Sequence, residues 1–262
     1  MLFGPFGVAV MIKQICGTFD FYNYTFRSPD GFILLLSEDT VLDVSNCTNH
    51  FDFSLKSTSV EKDQVFYGLI HTCAKGIGFL LDVPIFASYS MGFTETVSLY
   101  DKDNLRDRFI FERIDSVLRF DQTLGNYRQI ETEPQMFKFR RVDFEQFISQ
   151  LKSNGTLESA VNYYLNAIDE PGSFLVSLYK AYEILKNKNA ISKTDAKKFT
   201  HLANDPAILI GRHASSEAGN FRLLTSDEDK LCHDVIRYGI ICYADRCVAE
   251  ANKRTHPTQS AG

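Results

Sequence analysis

Residues 211–220 read GRHASSEAGN and set Arg212 directly before His213. A guanidinium stays charged at any working pH, whereas an imidazole gains and loses a proton near neutrality. The two together suit chemistry on a phosphate: one holds developing negative charge and the other moves a proton. The same pair also suits a polar clasp between packed helices, and the sequence leaves both readings open. Upstream, Lys186, Lys188, Lys193, Lys197 and Lys198 form a loose basic cluster. It reads either as a phosphate contact or as a solvated helix end. His201 and His233 lie on helical segments and read as structural or exposed residues. No Walker loop, G-x-S-x-G elbow or H-E-x-x-H helix is present. GIGFLL at Gly76 lacks the third glycine of a dinucleotide fingerprint and reads as a glycine kink in a strand.

The six cysteines, Cys16, Cys47, Cys73, Cys232, Cys242 and Cys247, contain no C-x-x-C pair, and no histidines cluster at zinc-ligand spacing. The expectation is a reduced, cytoplasmic protein with structural thiols and no metal or cofactor. A net charge of −5 gives no overall basic field, so any nucleic-acid site must be local. The opening MLFGPFGVAVMIK has no cation ahead of its apolar run and does not fit a secretory signal. No run of about 18 uncharged apolar residues exists to span a bilayer, so no membrane partner is expected.

The elements that must position these residues divide the chain into an α+β arrangement. Residues 1–125 read as a β-rich domain. FDFYNYTF, RSPDG and FILLLS form a strand, a Pro-Asp-Gly turn and a second strand, the clearest hairpin signal in the chain. Phe51, Phe53 and Leu55 alternate with Asp52, Ser54 and Lys56, the period of a half-buried strand. VFYGLIH, GIGFLLDV, IFASYSMG and ETVSLYD read as further strands. The polar stretch at 122–135 marks a junction. Of the 22 Phe and 12 Tyr, most are expected in the core and in cross-strand pairs.

Residues 140–254 read as helical. Leu175, Leu178, Tyr182 and Leu185 line one face of a helix from 173 to about 186. Ser192 caps KTDAKKFTHLA, and Asp205-Pro206 opens a short segment. Thr225 and Glu228 have capping-box spacing and start a long helix, with Leu231, Val235, Tyr238 and Cys242 as its buried stripe.

The order LYKAYEIL, AILIGRHAS, a short loop and a long terminal helix, over about 173–252, resembles the helical HEPN superfamily. The nearest branch is one of bacterial proteins with a Y-x-x-x-E helix, here Tyr179 to Glu183, followed by an RH segment. The resemblance implies a bundle of about four helices, often dimeric, whose best-known members cleave RNA without a metal through an Arg and a His. It assigns the catalytic positions to Arg212 and His213, with Glu183, Tyr179, Asn204, Lys197 and Lys198 as binding or supporting residues. The chain departs from the motif where a later His is expected, because Glu217, Ala218 and Gly219 stand there.

Two functions follow. One is an RNA-directed role, binding or weak metal-independent cleavage, in a toxin- or defence-like protein. The other is a non-enzymatic dimerising or ligand-sensing module with a degenerate site, in which a buried Glu183–Arg212 pair fastens neighbouring helices.

Overall fold

The computed structural model describes residues 10–21, 24–27, 31–46, 50–59, 63–96, 105–121, 126–131, 133–208 and 222–255. The fold is of the α+β class: antiparallel strands dominate the N-terminal half and helices the C-terminal half. Two compact units result. One comprises Met1–Leu81 and Ile85–Ile148, the other Asp82–Pro84 and Ser149–Gly262. Among the described residues no helix is long and apolar enough to cross a membrane.

In the β-rich unit, β1 (Val10–Asp20), β3 (Phe32–Ser37), β4 (Thr40–Asn46), β5 (His50–Ser57) and β6 (Phe86–Thr96) form a sheet of order β3-β4-β5-β1-β6. A second group joins β2 (Tyr24–Arg27), β7 (Arg108–Asp121) and β8 (Asn126–Glu131), with β9 (Gln135–Arg140) also paired to β7. The alternation of β5 holds: Phe51, Phe53 and Leu55 are buried and Asp52 is exposed. Phenylalanines fill the space between the two groups of strands. Phe19 stacks on Phe53 at 4.3 Å, Phe26 meets Phe51 at 5.5 Å, and Phe32 meets Phe109 at 5.0 Å. Aromatic pairs at these separations add to their area burial, which accounts for much of the phenylalanine content.

Three readings of this half change. The expected hairpin across 27–31 does not form, because β2 pairs with β7 and β3 pairs with β4; positions 28–30 lie outside the described residues. The turn residues mark where the chain reverses, whereas strand partners are chosen by the phenylalanine core. The tight reversal is β3–β4, where Asp39 accepts hydrogen bonds from Ser37 and Thr40.

VFYGLIH and GIGFLL are not strands but segments of one helix, α1 (Asp63–Leu81). Phe66, Leu69, Ile70, Cys73, Ala74, Ile77 and Leu81 are buried at helical period. Each half alone is too short to display that period, and Gly76 is a buried helix position rather than a strand kink. Finally, within the expected junction, Asn126–Glu131 is strand β8, and residues 122–125 lie outside the described residues.

Chain from α2 (Arg141–Ser153) leads into the helical unit of α3 (Gly155–Asp169), a 3₁₀ turn at Pro171–Ser173, α4 (Phe174–Asn187), α5 (Lys193–Ala203) and α6 (Ser226–Thr255). Asn154 caps α3 by accepting from the backbone N–H groups of Thr156 and Leu157, and Ser192 caps α5 through the N–H of Asp195. Leu175, Leu178, Tyr182 and Leu185 are buried on α4, as their spacing predicts. On α6 the stripe is rotated. Tyr238 is 66% exposed, and the buried residues are Cys232, Val235, Ile236, Ile240 and Ala244. Gly239 sets this rotation, since a Cβ there would lie 2.9 Å from Ile191 and 3.1 Å from Leu185. The neighbours approach the helix on the glycine side and leave Tyr238 to solvent.

The thiols differ in accessibility. Cys16 is exposed, Cys73 and Cys232 are buried, and Cys242 and Cys247 are half-buried; Cys47 lies outside the described residues. Burial, with Asp229 and Glu228 adding negative charge, pushes the Cys232 thiol up to about 12. Alkylation of native protein at neutral pH is expected to modify Cys16 early and to reach Cys73 and Cys232 only after denaturation, as read by peptide mass mapping.

Candidate functional site

Arg212 and His213 lie outside the described residues, as does the whole segment 209–221. The chain on either side of that segment is well tied. The Arg222 N–H donates to the Ala207 carbonyl at 2.8 Å, and Ile208 bridges Arg222. The Arg222 guanidinium donates to both Glu228 carboxylate oxygens at 2.6 and 3.0 Å and to Asp205 at 3.2 Å. Glu228 also accepts from the Thr225 N–H while Thr225 Oγ1 accepts from the Glu228 N–H, which is the capping box the spacing implies. Asp205 accepts from the Ala207 N–H, as a capping residue does.

The hydrogen bond from Arg222, seconded by the Thr225 N–H, holds the Glu228 carboxyl down at about 2. A folded value below the ordinary carboxylate value of about 4.3 means stability that is present above that value and is lost as pH falls through about 2. Acid titration of the Glu228 carboxyl by NMR should find its midpoint near that pH in wild-type protein. In Arg222→Ala the midpoint should move up toward the ordinary value.

The supporting residues are scattered in role. Glu183 is exposed on α4 and has no ion pair among the described residues. The Arg212 side of the expected Glu183–Arg212 pair lies outside the described residues; on α4, Leu178, Ala181, Tyr182 and Leu185 take the buried face and Glu183 is turned to solvent. Tyr179 is half-buried against Tyr182 and Phe199 at 5.4 and 6.3 Å, a packing role between α4 and α5. Asn204 is the C-cap of α5, its N–H bonded to the Thr200 carbonyl. Lys197 and Lys198 are exposed on α5 with Lys193 and His201. Among the described residues none of these four has an ion pair, and Lys193, Lys197 and His201 are spaced one turn apart on one face. Three other cations of the unit are engaged by carboxylates: Arg222 by Glu228 and Asp205, Lys230 by Asp234, and Arg237 by Asp82.

A polar clasp does exist, made by residues that the motifs of the sequence do not select. The Tyr164 hydroxyl donates to Asp82 Oδ1 at 2.6 Å, and Arg237 Nη1 donates to the same oxygen at 3.1 Å. Asp82 precedes β6 in left-handed backbone, φ 59°, and belongs with the helices. Tyr164 is fully buried; desolvation first, then the Asp82 charge, raises its pKa so that it remains a donor. His233, one turn before Arg237 on α6, packs against Phe174 at 4.8 Å and Tyr164 at 5.7 Å. Its Nδ1 is buried without a hydrogen-bond partner among the described residues. The available signal was the H-x-x-x-R spacing on α6; nothing local marks Asp82 or Tyr164.

With the Asp82 and Arg237 charges mutually satisfied and the Tyr164 phenol held protonated, these three residues fasten the helices. Among the described residues no group of three or more His, Cys, Asp or Glu side chains could hold a metal ion. No protein-family model, curated protein or solved structure matches the chain.

Proposed function

We propose that the chain is an RNA-directed protein in which the cationic face of α5 takes phosphates and the segment following it in sequence brings Arg212 and His213 to the strand. The observation that carries this reading is the charge distribution on the helical unit. Lys193, Lys197, Lys198 and His201 are exposed and without carboxylate partners among the described residues, while Arg222, Lys230 and Arg237 are engaged. Three lysines and a histidine exposed on one short helix without carboxylate partners make a local anion-binding face on an acidic protein. The HEPN resemblance supplies the chemistry: His213 moves the proton of a ribose 2′-hydroxyl and Arg212 stabilises the phosphate charge. The 2′-oxygen then bonds to phosphorus as the P–O5′ bond breaks, and the proton taken up by His213 passes to the departing 5′-oxygen. One imidazole in that motif points to weak cleavage at most.

Incubation of purified protein with mixed single-stranded RNA tests this. Slow appearance of cyclic-phosphate ends, abolished in His213→Ala at unchanged melting temperature, is the expected result if cleavage occurs. Binding without cleavage, weakened in Arg212→Ala, keeps the RNA-directed reading without the enzyme. Absence of both overturns it. A second reading, a self-associating module, is favoured by the exposed Tyr238 on α6. It predicts that Tyr238→Lys shifts the oligomeric state in sedimentation while RNA binding is unaffected.

A further inference from the structure

The outer face of α1 carries a glycine that packing does not require. Gly68 lies inside a 19-residue helix, is exposed, and has nothing within 4 Å of the position a Cβ would occupy. Gly239, by contrast, is needed where Ile191 approaches. Glycine within a helix is destabilising relative to alanine, so an open position of this kind calls for another reason. The residue before it, Tyr67, is half-exposed and stacks on the half-exposed Tyr89 of β6 at 5.1 Å with planes 21° apart. His71 is exposed one turn along; its Nε2 is 3.2 Å from the Tyr89 hydroxyl, and its ring meets Tyr89 edge to face.

We infer that Tyr67, Gly68, His71 and Tyr89 form a platform on the β-rich unit that stacks a nucleobase of single-stranded RNA, an inference that rests on the RNA-directed reading above. The glycine leaves a flat floor, the paired rings offer a π-face already held in place, and His71 provides a polar edge. Aromatic side chains with only two torsions lose little freedom on such contact. Charge selects the class of partner. From Gln64 to Leu81 the helix has no carboxylate and carries His71 and Lys75, while the preceding Asp63 is paired with Lys13. The one exposed large aliphatic side chain on α1 is Val65, too little for an apolar protein anchor. A planar, polar-edged base on an anionic strand fits these features, and stacking of this kind tolerates any base.

The test uses full-length protein and RNA containing 2-aminopurine, whose fluorescence falls on stacking, in a natural and a methylphosphonate, neutral-backbone form. Wild-type protein should quench both. Gly68→Leu fills the floor at a position with free space, so the fold is kept, and quenching of both strands should fall about tenfold or more in apparent affinity; Tyr67→Ala should do the same. Charge reversal at Lys193, Lys197 and Lys198 should weaken the natural strand and leave the neutral one unchanged. No quenching of the neutral strand, or equal quenching by wild type and Gly68→Leu, overturns the platform; a surface serving a protein partner would give that second result. If the natural strand still binds through α5 in that event, the RNA-directed reading stands. If the neutral strand is quenched but the α5 reversal changes nothing, the platform stands and the α5 reading fails.

Discussion

Tyr164→Ala is expected to destabilise the helical unit by about 3–5 kcal/mol, the range for truncating a buried aromatic side chain. Tyr164 is fully buried on α3, and its removal both opens a cavity beside His233 and Phe174 and takes a donor from Asp82. Tyr164→Phe separates the two effects. It keeps the ring and deletes only the hydrogen bond to a carboxylate, a loss of about 1.5–3 kcal/mol. Because Arg237 donates to the same oxygen, Tyr164→Phe combined with Arg237→Met should not be additive in urea denaturation. Additive losses would show that Asp82 does not couple the two helices.

The second large effect lies in the β-rich unit. Gly17 is at the centre of β1, between β5 and β6, opposite Phe53 and Tyr89. A Cβ at Gly17 would lie 2.0 Å from the Ser88 carbonyl oxygen and 2.7 Å from the Tyr89 Cα. Backbone atoms cannot rotate aside as a side chain can, so Gly17→Ala has to push β1 and β6 away from each other. Overpacking typically costs about 1–3 kcal/mol, and this substitution belongs at or above the top of that range. Gly92→Ala on β6, with nothing within 4 Å, should leave the denaturation midpoint nearly unchanged. Equal midpoints for the two variants would contradict the strand packing.

These positions show which features could be read from residue order. Capping is local chemistry, so Ser192 and the Thr225–Glu228 box were legible from three or four neighbouring residues. The same holds for β5 and α4, whose buried faces repeat at their own period within one element. The lone strand pair expected across Pro29-Asp30-Gly31 failed because a turn does not name its partner, and Phe32 is held by Phe109 and Phe111 far along the chain. Splitting α1 at its glycines hid a single amphipathic period. The clasp was illegible for a stronger reason: Asp82 and Arg237 are 155 positions apart and meet only once the helices have packed. Of the candidate site, the sequence offers a pair of residue types, Arg212 and His213, which lie outside the described residues, and the lysines before them, which are exposed on α5. That those lysines go unpaired while Arg222 and Arg237 are engaged is a property of the folded surface.

The proposed phosphate-binding role of α5 is read in the salt dependence of RNA affinity. Each phosphate contact to a single strand contributes about 0.7 to the slope of log affinity against log salt. Replacing Lys193, Lys197 and Lys198 with Glu should therefore reduce the slope by about 2, with weaker binding at low salt, relative to wild-type protein on the same single-stranded RNA. An unchanged slope and affinity in the triple variant, with its helical circular dichroism intact, would exclude that role for α5.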